Sequence, residues 1–250
     1  MGDGRGPVAV ALLALAGTCV AALLIGTPPR SLRGEPAAQS FLAIWRQSRL
    51  ATFVVDSDFT RTLPSGNRLI QQVRTVQRPP ADRLVIGFGS ASGRLGGKIL
   101  RCVSAPDGTS QCFTATDAPD YAAEVEGEIA GLERYVRGER PLYLVTAFAD
   151  GGAQNARAHC FRLDLAIDLP SPPYGAHALF CFDRTSLAPS LTVVERPEAT
   201  DRTEATSISM TVSDADLDAI TNRGSVVGLP GPTTTTLTTT TVATTTSSSN

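Results

Sequence analysis

The chain has 250 residues, and its 22 lysines and arginines against 24 aspartates and glutamates give a net charge of −2. A chain so close to neutral has no electrostatic basis for binding nucleic acid, and we predict no nucleic-acid partner. Its length and its hydrophobic fraction of 42% suffice for one folded domain with appendages.

An uncharged apolar run of 20 residues occupies positions 7–26, after a short N-terminal segment at 1–6. Such a run is long enough to cross the roughly 30 Å hydrocarbon core of a membrane as a helix. A cleaved signal peptide is the alternative, and "AGTC" before and at Cys19 weakly resembles a lipidation site. The run continues past Cys19, so we favour an uncleaved transmembrane anchor. Basic residues flank both sides, and flanking charge leaves the orientation open.

A linker at 27–35 leads into the folded domain, which we place at 36–220. The domain opens with a predicted helix at about 36–49, because Pro36 suits a first helical turn. One face of this helix is apolar and carries Phe41, Leu42, Ile44 and Trp45. We expect that face to cover part of the core.

A long hairpin follows the first helix, with "LPSGN" as its turn. Pro64 and Gly66 are the residues that a short hairpin loop of this type requires. Counting outward from the turn places Asp56 opposite Arg74, which is a favourable cross-strand pair. The other face is then apolar and carries Phe53, Val55, Phe59, Leu69 and Val73.

The strand after this hairpin carries Leu84, Ile86 and Phe88 at alternate positions. Phe88 lies between two glycines, which allow a strand to bend sharply or to accept a close neighbour. We therefore expect this strand to continue the sheet, and Phe88 to lie where a ligand can approach.

Four of the five cysteines form two pairs with hairpin spacing. Cys102 and Cys112 stand on either side of "APDGT", and counting outward from that turn places them directly opposite each other. Setting Cys160 opposite Cys181 aligns four apolar pairs on one face of a second hairpin. Free cysteines that simply pack well are the alternative. Two disulfides indicate an oxidising compartment, so we predict that the domain lies outside the cytoplasm.

The remaining elements are one helix, two further strands and a tail. Helical spacing of apolar residues predicts a helix at about 120–137, with Asp120 as its N-cap. Two strands are expected at 191–195 and 206–212, the second with apolar residues at alternate positions. The stretch at 221–250 becomes rich in Thr and Ser, has little apolar surface to bury and is predicted to be disordered. The fold class is therefore mainly β, an α+β arrangement in which two helices cover one apolar face of an antiparallel sheet.

Short motifs around the third strand resemble a known family. A strand ends at Arg78 and Pro79, the next strand includes Arg83, and a further strand begins after the Gly96-Gly97 step. This pattern resembles the lipoprotein-carrier and sensor superfamily that includes LolA, LppX and RseB-like proteins.

The resemblance extends over about 36–220 and is strongest over 41–103. It implies a strongly curved antiparallel sheet, a half-barrel, covered by helices, with a concave side that binds acyl chains or a regulatory protein partner. The membrane anchor, the two cysteine pairs and the Thr-rich tail depart from the basic pattern. The anchor argues against a freely diffusing carrier.

Catalytic constellations are not recognisable in the sequence. His159 and His177 lie about five residue pairs apart in the second cysteine hairpin, too far to share a metal or a proton. No combination of nucleophile, base and oxyanion site assembles, so we predict that the protein is not an enzyme and has neither a cofactor nor a metal site.

Two functional classes remain. The first is a membrane-anchored extracytoplasmic module that binds a lipid, an acyl chain or a lipoprotein. Its expected lining residues are Phe53, Val55, Phe59, Leu84, Ile86, Phe88, Phe161 and Phe180. The second is a protein-interaction or envelope-sensing domain in which these residues form an ordinary filled core. An apolar cavity distinguishes the first class from the second.

Overall fold

The structure is a computed structural model, and it describes residues 31–87, 89–104, 110–148, 157–221 and 226–228. The predicted anchor at 7–26 lies outside these residues, and so does most of the predicted tail at 221–250. Of that tail the structure describes Thr221, which ends a helix, and a short strand at Val226–Gly228. Within the described part of the chain, no helix is both long and apolar enough to span a membrane.

Three helices separate runs of consecutive strands along the described chain. The helices are α1 (Glu35–Leu50), α2 (Tyr121–Val136) and α3 (Asp214–Thr221). The first seven strands are β1 (Leu32–Arg33), β2 (Phe53–Thr62), β3 (Arg68–Arg78), β4 (Asp82–Gly87), β5 (Ser90–Leu95), β6 (Lys98–Ser104) and β7 (Ser110–Asp117). The others are β8 (Tyr143–Phe148), β9 (Ala158–Leu165), β10 (His177–Asp183), β11 (Pro189–Arg196), β12 (Ala199–Ser209) and β13 (Val226–Gly228).

All these strands belong to one open sheet, in the order β1-β8-β9-β10-β11-β12-β2-β3-β4-β5-β6-β7-β13. Every neighbouring pair is antiparallel except β13 and β7, which run parallel. The sheet is curved but not closed, because β1 and β13 are its two edges and do not pair with each other. Its centre is the pairing of β2 with β12.

Ladder partners share a face of the sheet, so the registers assign every strand residue to one of two faces. The helical face carries Phe53, Phe161 and Phe180, and α1 and α2 pack on it. The opposite face, here called the disulfide face, carries both cysteine pairs. These are Cys102–Cys112, with 4.0 Å between the Cα atoms, and Cys160–Cys181, with 4.1 Å.

The hairpin registers predicted from turn chemistry are confirmed. Asp56 lies opposite Arg74, and the two side chains form an ion pair of 3.0 Å. Both cysteine pairs are directly opposite in their ladders. The second helix is also confirmed with its cap, since the Asp120 carboxylate accepts a hydrogen bond of 2.9 Å from the backbone N–H of Ala123.

One predicted strand has other bounds in the structure, and one helix was not predicted. The sequence predicts the final long strand at 206–212, whereas β12 spans Ala199–Ser209. It begins earlier than predicted because its polar N-terminal half also pairs with β2. The chain leaves the sheet at Met210, which is 58% exposed. A third helix, α3, also joins the two that were predicted, and its Leu217 packs on the disulfide face.

Candidate functional site

An aromatic cluster fills the helical face beneath α1. Phe41 and Trp45 lie one turn apart on α1, with ring centroids 5.4 Å from each other. Phe41 contacts Phe161 at 5.4 Å, and Trp45 contacts Phe180 at 5.3 Å and Phe182 at 5.8 Å. Since the rings of Phe41 and Phe161 are almost entirely buried, this half of the interface is a packed core.

A cavity of about 140 Å³ remains next to this cluster, between α1 and the helical face. Its apolar lining consists of Trp45, Phe53, Phe180, Cys181, Phe182 and Pro189. Its polar lining includes Ser48, Arg49, Thr75, Gln77, Arg83, Glu128 and Thr192. The cavity is therefore amphipathic, with aromatic rings along one part and guanidinium groups in another.

The C-terminal end of α1 is held over this cavity by hydrogen bonds to its last carbonyl groups. The Gln77 side chain of β3 donates to the carbonyl oxygens of Ser48 and Ala51, both at 2.7 Å. The Tyr121 hydroxyl of α2 donates to the carbonyl of Arg49. The Ser48 carbonyl also accepts from the backbone N–H of Ala51, the residue that ends the helix. Together these bonds satisfy carbonyl groups at the helix end and attach α1 to β3 and α2.

Buried arginines meet half-buried glutamates at the polar part of the cavity. Arg49 is 5% exposed and forms ion pairs with Glu124 at 3.0 Å and Glu128 at 2.9 Å. Arg94 pairs with Glu124 at 2.7 Å, and the Trp45 indole N–H donates to Glu128 at 2.9 Å. Glu124 thus links α1 to the sheet, whereas both contacts of Glu128 are with α1.

Arg83 lies beside this cluster and forms no ion pair with a described residue. Its Nε is buried without a hydrogen-bond partner in the described part of the chain. Burial lowers the pKa of Arg83, and the neighbouring Arg49 cation lowers it further. In the β4–β5 ladder Arg83 stands directly opposite Arg94, a like-charge pair.

The residues expected to line a ligand site are placed unequally. Phe53 and Phe180 line the 140 Å³ cavity. Val55 lines a smaller adjoining cavity of about 60 Å³, which shares Thr75 with the larger one. Phe161 lies behind them in the packed core.

The other four expected lining residues lie elsewhere. Phe59 is on the helical face, further along β2. Leu84 and Ile86 are on the disulfide face, because Leu84 pairs with Val76 and packs in the cluster that α3 covers. Phe88 lies outside the described residues.

A second cavity, of about 170 Å³, lies near the other end of the sheet. It is lined by Leu32, Ser40, Ala147, Phe148, His159, Cys160 and Phe161. Burial lowers the pKa of His159, and Arg184 lowers it further, so this imidazole is neutral at physiological pH. No buried charged side chain lines this second cavity. It therefore offers fewer polar contacts for a ligand than the cavity beneath α1.

Sequence reasoning missed the charged residues of the site. Arg49 continues the α1 stripe of Phe41 and Trp45 at intervals of four residues, so helical spacing could have identified it. Arg83 and Leu84 are consecutive residues of a strand, so their side chains point to opposite faces of the sheet. Only one of the two can therefore belong to a given apolar cluster. Which face each residue takes depends on the register between β3 and β4.

The two histidines do not form a joint site. His159 is on the helical face and His177 on the disulfide face, where its Nδ1 lies 2.9 Å from an Asp164 carboxylate oxygen. In the described ranges, no group of three or more His, Cys, Asp or Glu side chains is arranged to hold a metal ion.

No protein-family model matches the chain, and no curated protein matches it. Among solved structures, a LolA superfamily protein from Nitrosomonas europaea is 12% identical, with a TM-score of 0.29 over 71% of this chain and 95% of that chain. The Pseudomonas aeruginosa MucA/MucB complex is 12% identical, with a TM-score of 0.36 over 72% of this chain and 62% of that chain.

LprF from Mycobacterium bovis is 12% identical to this chain, with a TM-score of 0.26 over 73% of this chain and 97% of its own. The solved structures to which the chain is similar thus include a member of the LolA superfamily. Because all these TM-scores are low, we base no conclusion about function on the matches.

Proposed function

We propose that this protein is a non-catalytic extracytoplasmic binding module that holds the apolar chain of a lipid or lipoprotein. The cavity of about 140 Å³ between α1 and the helical face is the observation that carries the proposal. Its aromatic lining offers an apolar chain a concave apolar surface with a few polar groups beside it, which is the usual composition of a ligand site.

The size of the cavity defines how much of a ligand it can take. It is close to the roughly 150 Å³ of an engineered apolar cavity that binds benzene, and below the roughly 300–1,000 Å³ of pockets for whole drug-sized ligands. The cavity therefore holds one end of a chain. The adjoining cavity of about 60 Å³ beside Val55 extends this space along the sheet.

The proposed cellular location follows from the cysteines and the N-terminal segment. Both disulfides bridge neighbouring strands, and such bonds persist outside the reducing cytoplasm. Residues 7–26 are proposed to hold the domain at the membrane surface, where lipid ligands and envelope proteins are available.

A protein-interaction or sensing domain with a filled core is the second candidate. The observation in its favour is the close packing of the rest of the helical face, where Phe41, Leu163 and Tyr143 are fully buried. In that case the interior serves only stability, and the partner is a protein of the envelope.

The single tryptophan of the chain provides a direct test, since Trp45 lines the cavity. The full-length protein, held in amphipol, is titrated with a monoacylglycerol and with a fatty acid whose acyl chains are dibrominated. Bromine quenches indole fluorescence only at contact distance. Saturable quenching of Trp45 by at least one of these lipids is the expected result.

Two matched variants separate a cavity from a filled core. Thr75→Phe places a ring in the cavity and should abolish quenching with little loss of stability. Thr60→Phe makes the same change on the disulfide face of β2 and should leave quenching intact. No quenching of the wild type, together with a loss of about 1–3 kcal/mol in Thr75→Phe from overpacking, would favour the filled-core candidate.

A further inference from the structure

The charges at the polar part of the cavity do not balance. Three guanidinium groups, of Arg49, Arg83 and Arg94, face the two carboxylates of Glu124 and Glu128, which leaves one positive charge in excess. Arg83, which has no ion-pair partner among the described residues, is half-buried with its Nε fully covered. Removing an unpaired charge from water is unfavourable, and a guanidinium stays protonated at any physiological pH. The cluster therefore lacks one negative charge.

All three arginines have a buried donor without a hydrogen-bond partner in the described part of the chain, and two of them, Arg49 and Arg83, line the cavity. Arg49 is 5% exposed, and its Nη1 has no hydrogen-bond partner in the part of the chain that the structure describes. The Nε of Arg83 likewise has no hydrogen-bond partner in that part of the chain. Both side chains border the cavity, so an anion placed there is within reach of both guanidinium groups.

The end of α1 does not provide the missing charge. A helix C-terminus has a partial negative charge on its last carbonyl groups. Here the carbonyls of Ser48 and Ala51 already accept from Gln77, and that of Arg49 accepts from Tyr121. None of these carbonyls accepts a hydrogen bond from Arg83.

We propose that the cavity binds an anionic amphiphile whose head group, a carboxylate or a phosphate ester, pairs with Arg83 and Arg49. Guanidinium groups bind both oxyanions through paired N–H donors. This inference rests on the proposed function and narrows its ligand to a lipid with a negatively charged head.

The lining also sets the orientation of such a ligand. The head group lies at Arg83 and Arg49, and the first part of the chain lies against the aromatic rings of Trp45 and Phe53. The chain then continues towards the adjoining cavity beside Val55.

The test compares three lipids with the same dibrominated acyl chain: a fatty acid, a lysophosphatidic acid and a neutral monoacylglycerol. Quenching of Trp45 in the full-length protein reports each affinity. The variant Arg83→Met removes the charge and keeps the aliphatic bulk, whereas Arg83→Lys keeps the charge. Arg101→Met is the matched control, because Arg101 is exposed on the helical face of β6.

At least one anionic lipid is expected to bind the wild type at least tenfold more tightly than the monoacylglycerol. That preference should disappear in Arg83→Met and persist in Arg83→Lys and in Arg101→Met. A preference for the fatty acid identifies a carboxylate head, and one for the lysophosphatidic acid identifies a phosphate. Urea unfolding of Arg83→Met should show a midpoint no lower than that of the wild type, because an unpaired charge is removed.

The outcomes separate this inference from the function on which it rests. Equal affinity for all three lipids in the wild type overturns the anionic head group and leaves a chain-binding module. If Arg83→Met still prefers an anionic lipid to the monoacylglycerol, Arg83 does not bind the head group, and the inference is wrong. If none of the lipids quenches Trp45, the proposed function itself is wrong, and the inference with it.

Discussion

Removing the Cys160–Cys181 disulfide is expected to cost about 3 kcal/mol of the free energy of unfolding. The bond links residues separated by 21 positions, and the entropy of closing such a loop is about 11 cal/mol/K, which corresponds to about 3.3 kcal/mol at 25 °C. Both cysteines are 1% exposed, so alanine is the suitable replacement, because a serine hydroxyl would be buried there without a partner.

The Cys102–Cys112 bond provides an internal comparison. Its residues are separated by 10 positions, and the same relation gives about 2.7 kcal/mol for its removal. Urea unfolding of the two double alanine variants should therefore rank them, with the lower midpoint for the variant lacking Cys160–Cys181. The dependence of the free energy on urea should also become steeper, because an unfolded chain without the cross-link exposes more surface.

Unfolding with and without a reductant tests whether the two disulfides form. The wild type should lose stability when it is unfolded in the presence of a reductant. If its urea midpoint is unchanged by reductant, and peptide mapping without reduction finds free thiols at all four cysteines, the disulfides do not form. The extracytoplasmic location would then lose its main support.

Three further outcomes are expected. Replacing the N-cap Asp120 by alanine should lower the free energy of unfolding by about 1 kcal/mol in urea denaturation, and an unchanged midpoint would contradict its capping role. Hydrogen bonds from Arg61 hold the pKa of Asp201 below its ordinary value of 3.8. Asp201→Asn should therefore destabilise the protein at neutral pH, and its difference from the wild type should shrink as the pH falls from about 4 towards 2; a constant difference across that range would be the contrary result. N-terminal sequencing of the mature protein should find residues 7–26 still attached, whereas a start beyond residue 26 would mean a cleaved signal.

Local chemistry allowed much of the sheet to be predicted. Turn residues determine where a hairpin begins to pair, so counting outward placed Asp56 opposite Arg74 and Cys102 opposite Cys112. The periodicity of apolar residues located both long helices. These features depend on residues close together in the chain.

The composition of the site depends on contacts between distant parts of the chain, and here prediction was less complete. Leu84 shares a face with Val76 rather than with Phe53, which follows only from the register across the β3–β4 turn. Arg83 lies close enough to Arg49 for the two charges to interact, because α1 packs over the sheet. No local sequence pattern predicts this proximity. Alternation shows that neighbouring residues take opposite faces, but it does not show which face a helix will cover.

The central pairing of β2 with β12 has a consequence for the nascent chain. β2 to β7 form one meander of consecutive hairpins, β8 to β12 form a second, and the first strand of one joins the last strand of the other. A ribosome delivers the N-terminal meander first, so β2 waits with an unpaired edge until β12 emerges. Asp58 and Arg61, whose ladder partners both lie on β12, place charged side chains on that strand, which disfavours pairing with another chain during the interval.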